Sequence, residues 1–312
     1  MTQLHPQIRA ILDRMATLDI PPIESLDPLA AREQMEAMTR ARGGDPLPIA
    51  KAEDRTVPGP AGDIPVRIYW PNEEGVRGAY VYFHGGGHVI GSLDTHDKVA
   101  RNLCNGGGVV VISVDYRMGP EDKYPAAVED CWAVTEWVAA NAASIGADPA
   151  RIAVGGDSAG GNLAAVIALM ARDAGAPKIS LQVLVYPVGD YTLSGGSVAT
   201  YAKGYGILTD DAMKWFQGHY FEDVSQASEW KASPINAASF EGVAPAIIIA
   251  AGCDVLYDDG VDYARALAGA GVPCEYVLYA GMIHAFFGMA PDVDDAVAAQ
   301  TRVSEALRKA LA

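Results

Sequence analysis

Nothing in this chain spells out a metal or disulfide site. Its four cysteines, Cys104, Cys131, Cys253 and Cys274, show no C-x-x-C spacing and stand mostly in apolar contexts, so reduced core thiols are expected. His84, His88 and His96 lie near one another, but they lack a helical i, i+4 pair and are interrupted by glycines. Neither a metal nor a cofactor is therefore expected. Basic residues are scarce, 23 against 39 acidic ones, and the formal charge of −16 argues against nucleic acid or an anionic membrane as a partner. It also discourages strongly anionic substrates. No apolar run approaches the ~18 residues that span a bilayer. The start, MTQLHPQIRAILDRMATLDI, lacks the basic segment, apolar stretch and small-residue cleavage site of a secretory signal, and a soluble cytoplasmic protein is expected. Internal repeats, low-complexity tracts and long linkers are absent too, which leaves one domain over residues 1–312.

What the chain does have is apolar sequence, 50 % of its residues, cut into short runs. These recur at about 52–58, 64–70, 78–83, 109–114, 152–155, 181–185, 246–250 and 275–279, and each has the length of a strand. From the third run onward, helical patterns intervene at Leu93–Asn105, Pro125–Asn141, Ala159–Asp173, Tyr257–Ala270 and Val293–Leu311. Alternation of this kind predicts an α/β fold, a mostly parallel eight-stranded sheet with helices on both faces and its site at the C-terminal ends of the strands. Two segments stand outside the rhythm. Residues 1–45 carry helical patterns at Leu4–Leu18 and Leu29–Arg42, and an insertion at about 188–242 carries another, Thr209-capped, over Asp210–Phe221. Together they are expected to form a helical cap over a core made of residues 46–187 and 243–312.

The chemistry is concentrated at strand ends. Gly156-Asp157-Ser158-Ala159-Gly160 lies between a short apolar strand and a long apolar helix. That context is the one in which a serine is turned outward at a helix N-terminus, where the dipole and unpaired N–H groups favour an anion. His84-Gly85-Gly86-Gly87 follows the strand at 78–83, and consecutive glycines there let backbone N–H groups face a ligand at close range, as an oxyanion hole requires. Asp254 comes straight after the run 246–250, and His284 just beyond 275–279. The order Ser158, Asp254, His284 is the triad order of the α/β-hydrolases. Asp258 and Asp259 compete for the role of the acid, but both fall in the first turn of the next helix, where a carboxylate complements the dipole. Asp157 and His84 read as structural.

Carried by HGGGHVIGSLDTHD (84–97), DYRMGPEDKYPAAVED (115–130), GGDSAGGNLA (155–164), CDVLYDDG (253–260) and GMIHAFFG (281–288), the chain from about residue 50 onward resembles the hormone-sensitive-lipase-like, family IV esterases of the α/β-hydrolase fold. The resemblance implies a serine carboxylic-ester hydrolase working through an acyl-enzyme on short- to medium-chain esters. It further implies Gly86, Gly87 and Ala159 as oxyanion donors, and a possible homodimer. Three departures stand out: His88 where the family usually has an aromatic, Met118-Gly119 where it has Leu-Ala, and Val255 where a proline follows the acid. His88 and Val255 are therefore candidate substrate-binding residues, with Phe286 and the cap residues Tyr205, Ile207, Leu208 and Trp215. An amidase or deacetylase using the same groups is the alternative within enzymes. A non-catalytic small-molecule receptor is the alternative outside them, since the plant gibberellin receptors resemble this family without its histidine; His284 is present here.

Overall fold

Eight strands join in one sheet of order β1-β2-β4-β3-β5-β6-β7-β8 in the computed structural model, which describes residues 3–42, 47–72, 75–203, 205 and 207–312. The strands are β1 (Lys51–Gly59), β2 (Gly62–Trp70), β3 (Arg77–Phe83), β4 (Val110–Val114), β5 (Ala147–Asp157), β6 (Ile179–Val185), β7 (Ala246–Cys253) and β8 (Cys274–Ile283). Only β2 runs against its neighbours; every pairing from β4 across to β8 is parallel. The unbroken apolar run of β7 has its cause here, because every residue of it is buried between helices on the two faces.

The helices are α1 (Pro6–Met15), α2 (Pro28–Ala41), α3 (Asp97–Gly107), α4 (Ala126–Asn141), α5 (Ala159–Ala174), α6 (Gly196–Tyr201), α7 (Asp210–Tyr220), α8 (Tyr257–Gly269) and α9 (Asp294–Ala310). On one face, α4, α5 and α8 cover a core that includes Val81, Ile112, Val154, Leu163, Leu184 and Ile248. On the other, α1, α3 and α9 cover Tyr80, Val111, Val183, Ile247 and Ile249. The expected strands and helices are all present, with shifted ends. Helix α3 starts at Asp97 rather than Leu93, because Ser92 and Thr95 exchange side-chain-to-backbone hydrogen bonds of 2.8 and 3.3 Å and hold the chain in a turn. Strand β8 continues to Ile283, which delivers His284 at its very end.

A third, smaller apolar cluster joins Ala31 of α2, Val89 and Ile90 beyond β3, and Ala212 and Phe216 of α7. It is the physical connection between the N-terminal segment and the insertion. Helix α1, by contrast, is fastened to the body: the His5 N–H donates to the Gly281 carbonyl at 3.0 Å, and Gln7 accepts from the Asp294 N–H at 3.1 Å. No helix among the described residues is long and apolar enough to cross a membrane.

Candidate active site

Strand β5 ends at Asp157, helix α5 begins at Ala159, and the single residue between them must turn the chain through the corner. Ser158 does so at φ 54°, ψ −118°, a conformation a non-glycine residue holds only when its surroundings impose it. Here the Ser158 N–H donates to the Val185 carbonyl at 2.8 Å and its carbonyl accepts the Asn162 N–H at 3.0 Å. The flanking glycines are required by a neighbouring strand: a Cβ on Gly156 or on Gly160 would overlap the Phe83 carbonyl at the end of β3. Helix α5 can therefore start only if it passes directly against the strand that leads into His84.

The Ser158 side chain does not cap its own helix. Its Oγ lies 2.9 Å from His284 Nε2, and His284 Nδ1 lies 2.7 Å from Asp254 Oδ2. The other Asp254 oxygen accepts the Leu256 N–H at 3.0 Å, so the carboxylate is oriented from both sides while only 2 % exposed. The Tyr186 ring, on a residue with φ 34°, stands 4.7 Å from the imidazole and limits its rotation. Asp258 and Asp259 are used elsewhere. Asp258 accepts the Ser197 N–H at 2.8 Å, and Asp259 accepts the N–H groups of Gly189 and Asp190 at 2.9 and 3.0 Å, so they tie α8 to the root of the insertion. Burial pushes the Asp259 carboxyl up to about 8, against the pull of those two hydrogen bonds.

The loop after β3 is built around Asp157. That carboxylate accepts the Tyr82 hydroxyl at 2.6 Å and the Gly85 N–H at 3.1 Å, and it faces His96 Nε2 at 3.6 Å. Burial alone would raise it, yet the His96 imidazole and the Tyr82 hydrogen bond hold it at about 2. His84 stacks on Tyr116 at 4.5 Å, and burial, with His96 nearby, pushes its imidazole down to about 4. With the loop pinned in this way, Gly86 and Gly87 adopt φ 122° and 60°, and their N–H groups make no hydrogen bond to any described residue. Ala159 opens α5, where the N–H has no carbonyl to meet inside the helix. Among the described residues, no group of three or more His, Cys, Asp or Glu is gathered as a metal site would need.

Four of the seven expected pocket residues, Tyr205, Ile207, Leu208 and Val255, line a small cavity beside Asp254 and His284. Tyr201, Cys253 and Ile283 complete it; the available signal for the last two was their place directly before Asp254 and His284. The other three are placed differently. His88 is fully buried and stacked on Tyr220 at 4.0 Å; Phe286 is fully buried against Tyr186 and Tyr279; Trp215 donates from Nε1 to the Leu26 carbonyl at 3.1 Å and glues α7 to the N-terminal segment. Their rings are taken up by packing between elements, which no local pattern distinguishes from a pocket wall. Tyr186 belongs to no motif, and its place just after an apolar run, at the C-terminal edge of the sheet, is the signal in the sequence that points to it.

A buried serine, an imidazole and a carboxylate in one hydrogen-bonded line can pass a proton from hydroxyl to ring, which is the chemistry of acyl transfer. Comparison with known proteins agrees. A family model described as alpha/beta hydrolase fold matches residues 80–288. The chain belongs to the hormone-sensitive-lipase-like esterases of that fold. Within the esterases, it is 44 % identical over 274 residues to the carboxylesterase NlhH of Mycobacterium tuberculosis, covering 85 % of this chain and 84 % of that one. An ethyl acetate hydrolase of Pseudomonas putida is 35 % identical, with 93 % and 92 % covered. Among solved structures, an esterase of Pyrobaculum calidifontis superposes with a TM-score of 0.90 at 41 % identity over 98 % of both chains. The chain is a serine carboxylic ester hydrolase.

Proposed function

We propose that this esterase cleaves short- to medium-chain esters of neutral acids by a double displacement on Ser158. The observation that carries the reading is the unbroken line Asp254–His284–Ser158 at 2.7 and 2.9 Å. His284 Nε2 takes the Ser158 proton as Oγ bonds to the ester carbonyl carbon. Asp254 holds the Nδ1–H tautomer and offsets the charge that forms on the ring. The carbonyl oxygen becomes an oxyanion facing the N–H groups of Gly86, Gly87 and Ala159. The alcohol then leaves with the proton from His284, and a water deprotonated by the same imidazole releases the acid and restores Ser158. Fluorophosphonate labelling of the wild type and not of Ser158→Ala tests the nucleophile, and labelling that survives the substitution overturns it.

The substrate range rests on the walls of the cavity beside Asp254 and His284. Its walls, Tyr201, Tyr205, Ile207, Leu208, Val255 and Ile283, are largely apolar, and each methylene they cover contributes about 0.8 kcal/mol. Beyond the walls a longer chain gains nothing, so rates on p-nitrophenyl esters are expected to peak at short acyl chains and fall steeply by palmitate. A rate that jumps above the solubility limit of a long-chain ester would indicate a lipase instead. The same reading includes a cytoplasmic setting, supported by four cysteines none of which is joined in a disulfide among the described residues, and a homodimer, supported by the open edge of β8 with Leu278 42 % exposed. Sedimentation at micromolar concentration tests the dimer.

A further inference from the structure

Helix α7 touches the oxyanion loop at two points one helical turn apart. Phe216 lies against Gly87 so closely that a Cβ on the glycine would overlap its ring. Four residues on, and so on the same face, Tyr220 stacks on His88 with ring centroids 4.0 Å apart and planes inclined by 16°. Both aromatic side chains are buried, and both come from the insertion rather than from the core. His88 has φ 59°, its ring is wholly buried, and neither ring nitrogen makes a hydrogen bond to any described residue, so stacking is what holds the side chain. Burial pushes the imidazole down to about 3, which keeps it neutral against the phenol ring at any physiological pH.

Gly119 closes the contact from the other side. Its N–H donates to the His88 carbonyl at 2.8 Å, and its own carbonyl accepts from Arg32, whose Nε also donates to the Val89 carbonyl at 2.8 Å. The backbone of Gly119 passes so close to the end of α7 that a Cβ there would overlap the His219 carbonyl. Its φ is not positive, so space, not conformation, requires the glycine. Two of the three departures from the family pattern, His88 and Gly119, thus lie on either side of one contact. A small residue lets α7 settle low, and the ring at 88 meets it there.

We propose that the C-terminal half of α7 is a clamp that sets the position of the oxyanion donors, with Phe216, Tyr220, His88 and Gly119 as positioning residues. The clamp rests on the assignment of Gly86 and Gly87 as donors. It explains how Gly86 and Gly87, whose N–H groups meet no described residue, present them in a fixed direction: the Gly86 carbonyl accepts the Val89 and Ile90 N–H groups at 3.0 and 2.9 Å, Asp157 holds the loop on one side, and helix α7 holds it on the other. The oxyanion is common to all esters. A clamp fault must therefore slow every substrate alike, whereas a pocket fault depends on the acyl chain.

The decisive variant is Gly119→Ala, which restores the residue usual in the family and adds one methyl group. Displacing α7 and the loop by a few tenths of an ångström is expected to lower kcat by about tenfold, equally for p-nitrophenyl acetate, butyrate and hexanoate, with KM changed less than about twofold. Tyr220→Ala should lose a similar factor, Tyr220→Phe should restore it because the ring remains, and Tyr220→Ala with His88→Ala should be no slower than either alone. Should Gly119→Ala fail to fold, the Tyr220 pair decides. A wild-type kcat in folded Gly119→Ala, a loss confined to KM, or a loss that varies with acyl length would overturn the clamp. If Gly86→Val is slow while Gly119→Ala and Tyr220→Ala are fully active, only the clamp falls. A fully active Gly86→Val removes the donor assignment, and the clamp with it.

Discussion

The two sides of the oxyanion loop are held by different physics. Toward the sheet, Asp157, Tyr82, Gly85 and His96 form a hydrogen-bonded set in which directional, charge-assisted contacts define each position. Toward helix α7, the loop meets Phe216 and Tyr220, whose contact is dispersion and burial; among the described residues, the hydroxyls of Tyr191 and Tyr220 and both nitrogens of His88 have no hydrogen-bond partner. A network of hydrogen bonds fixes its members by direction, whereas packed rings fix theirs by the close fit of the surfaces around them. Directional bonds therefore hold the sheet side of the loop, and the fit of buried rings holds the Gly87 and His88 side.

The sharpest break of that contrast is on the sheet side. Ser158→Ala should abolish turnover, and Asp254→Asn, which leaves the geometry but offers His284 the wrong tautomer, should lower kcat by about 10⁴-fold. Collapse in Asp258→Asn with a near-normal rate in Asp254→Asn would show that the acid is the other one. Gly86→Val comes next: a side chain there meets the Ile90 backbone and removes a donor, for a loss of roughly 10²- to 10³-fold in kcat measured on a soluble ester.

Buried carboxylates offer a smaller but signed test. Asp157 is depressed to about 2 in the folded chain, so its ionised form stabilises the fold above pH 4, and the contribution disappears as pH falls through that range. Denaturant titrations should find Asp157→Asn weaker by about 2 kcal/mol at pH 7 and equal to wild type near pH 2. For Asp259, raised to about 8, the sign reverses. Its unfolded form ionises near pH 4 while the folded form keeps its proton, so stability is lost as pH rises from 4 to 8. Asp259→Asn should match wild type at pH 4 and exceed it at pH 8; the same trend with pH in both proteins would rule out this carboxyl as the cause.

The smallest effect belongs to the cavity wall. Leu208→Ala removes part of one wall of the cavity and should lower kcat/KM for a hexanoate ester about tenfold while leaving acetate within about twofold. Equal losses on both esters would place Leu208 outside the acyl pocket.

By itself the sequence determined the sheet, the order of its helices and the three groups Ser158, Asp254 and His284, because each of these rests on a local signal: an apolar run, a cap, a glycine forced by a close approach, a residue at a strand end. Even the competitor Asp259 could be set aside by its position in a first helical turn. Only the tertiary structure decided what the aromatic residues do. His88, Trp215 and Phe286 read as pocket walls, yet they are packed between elements far apart in the chain, while Tyr186 and Cys253 reach the site from the ends of strands. The physical reason is that hydrogen bonds and turns depend on neighbours within a few residues, whereas burial of a ring depends on which surfaces the whole fold brings together, and that carries no fixed spacing in sequence.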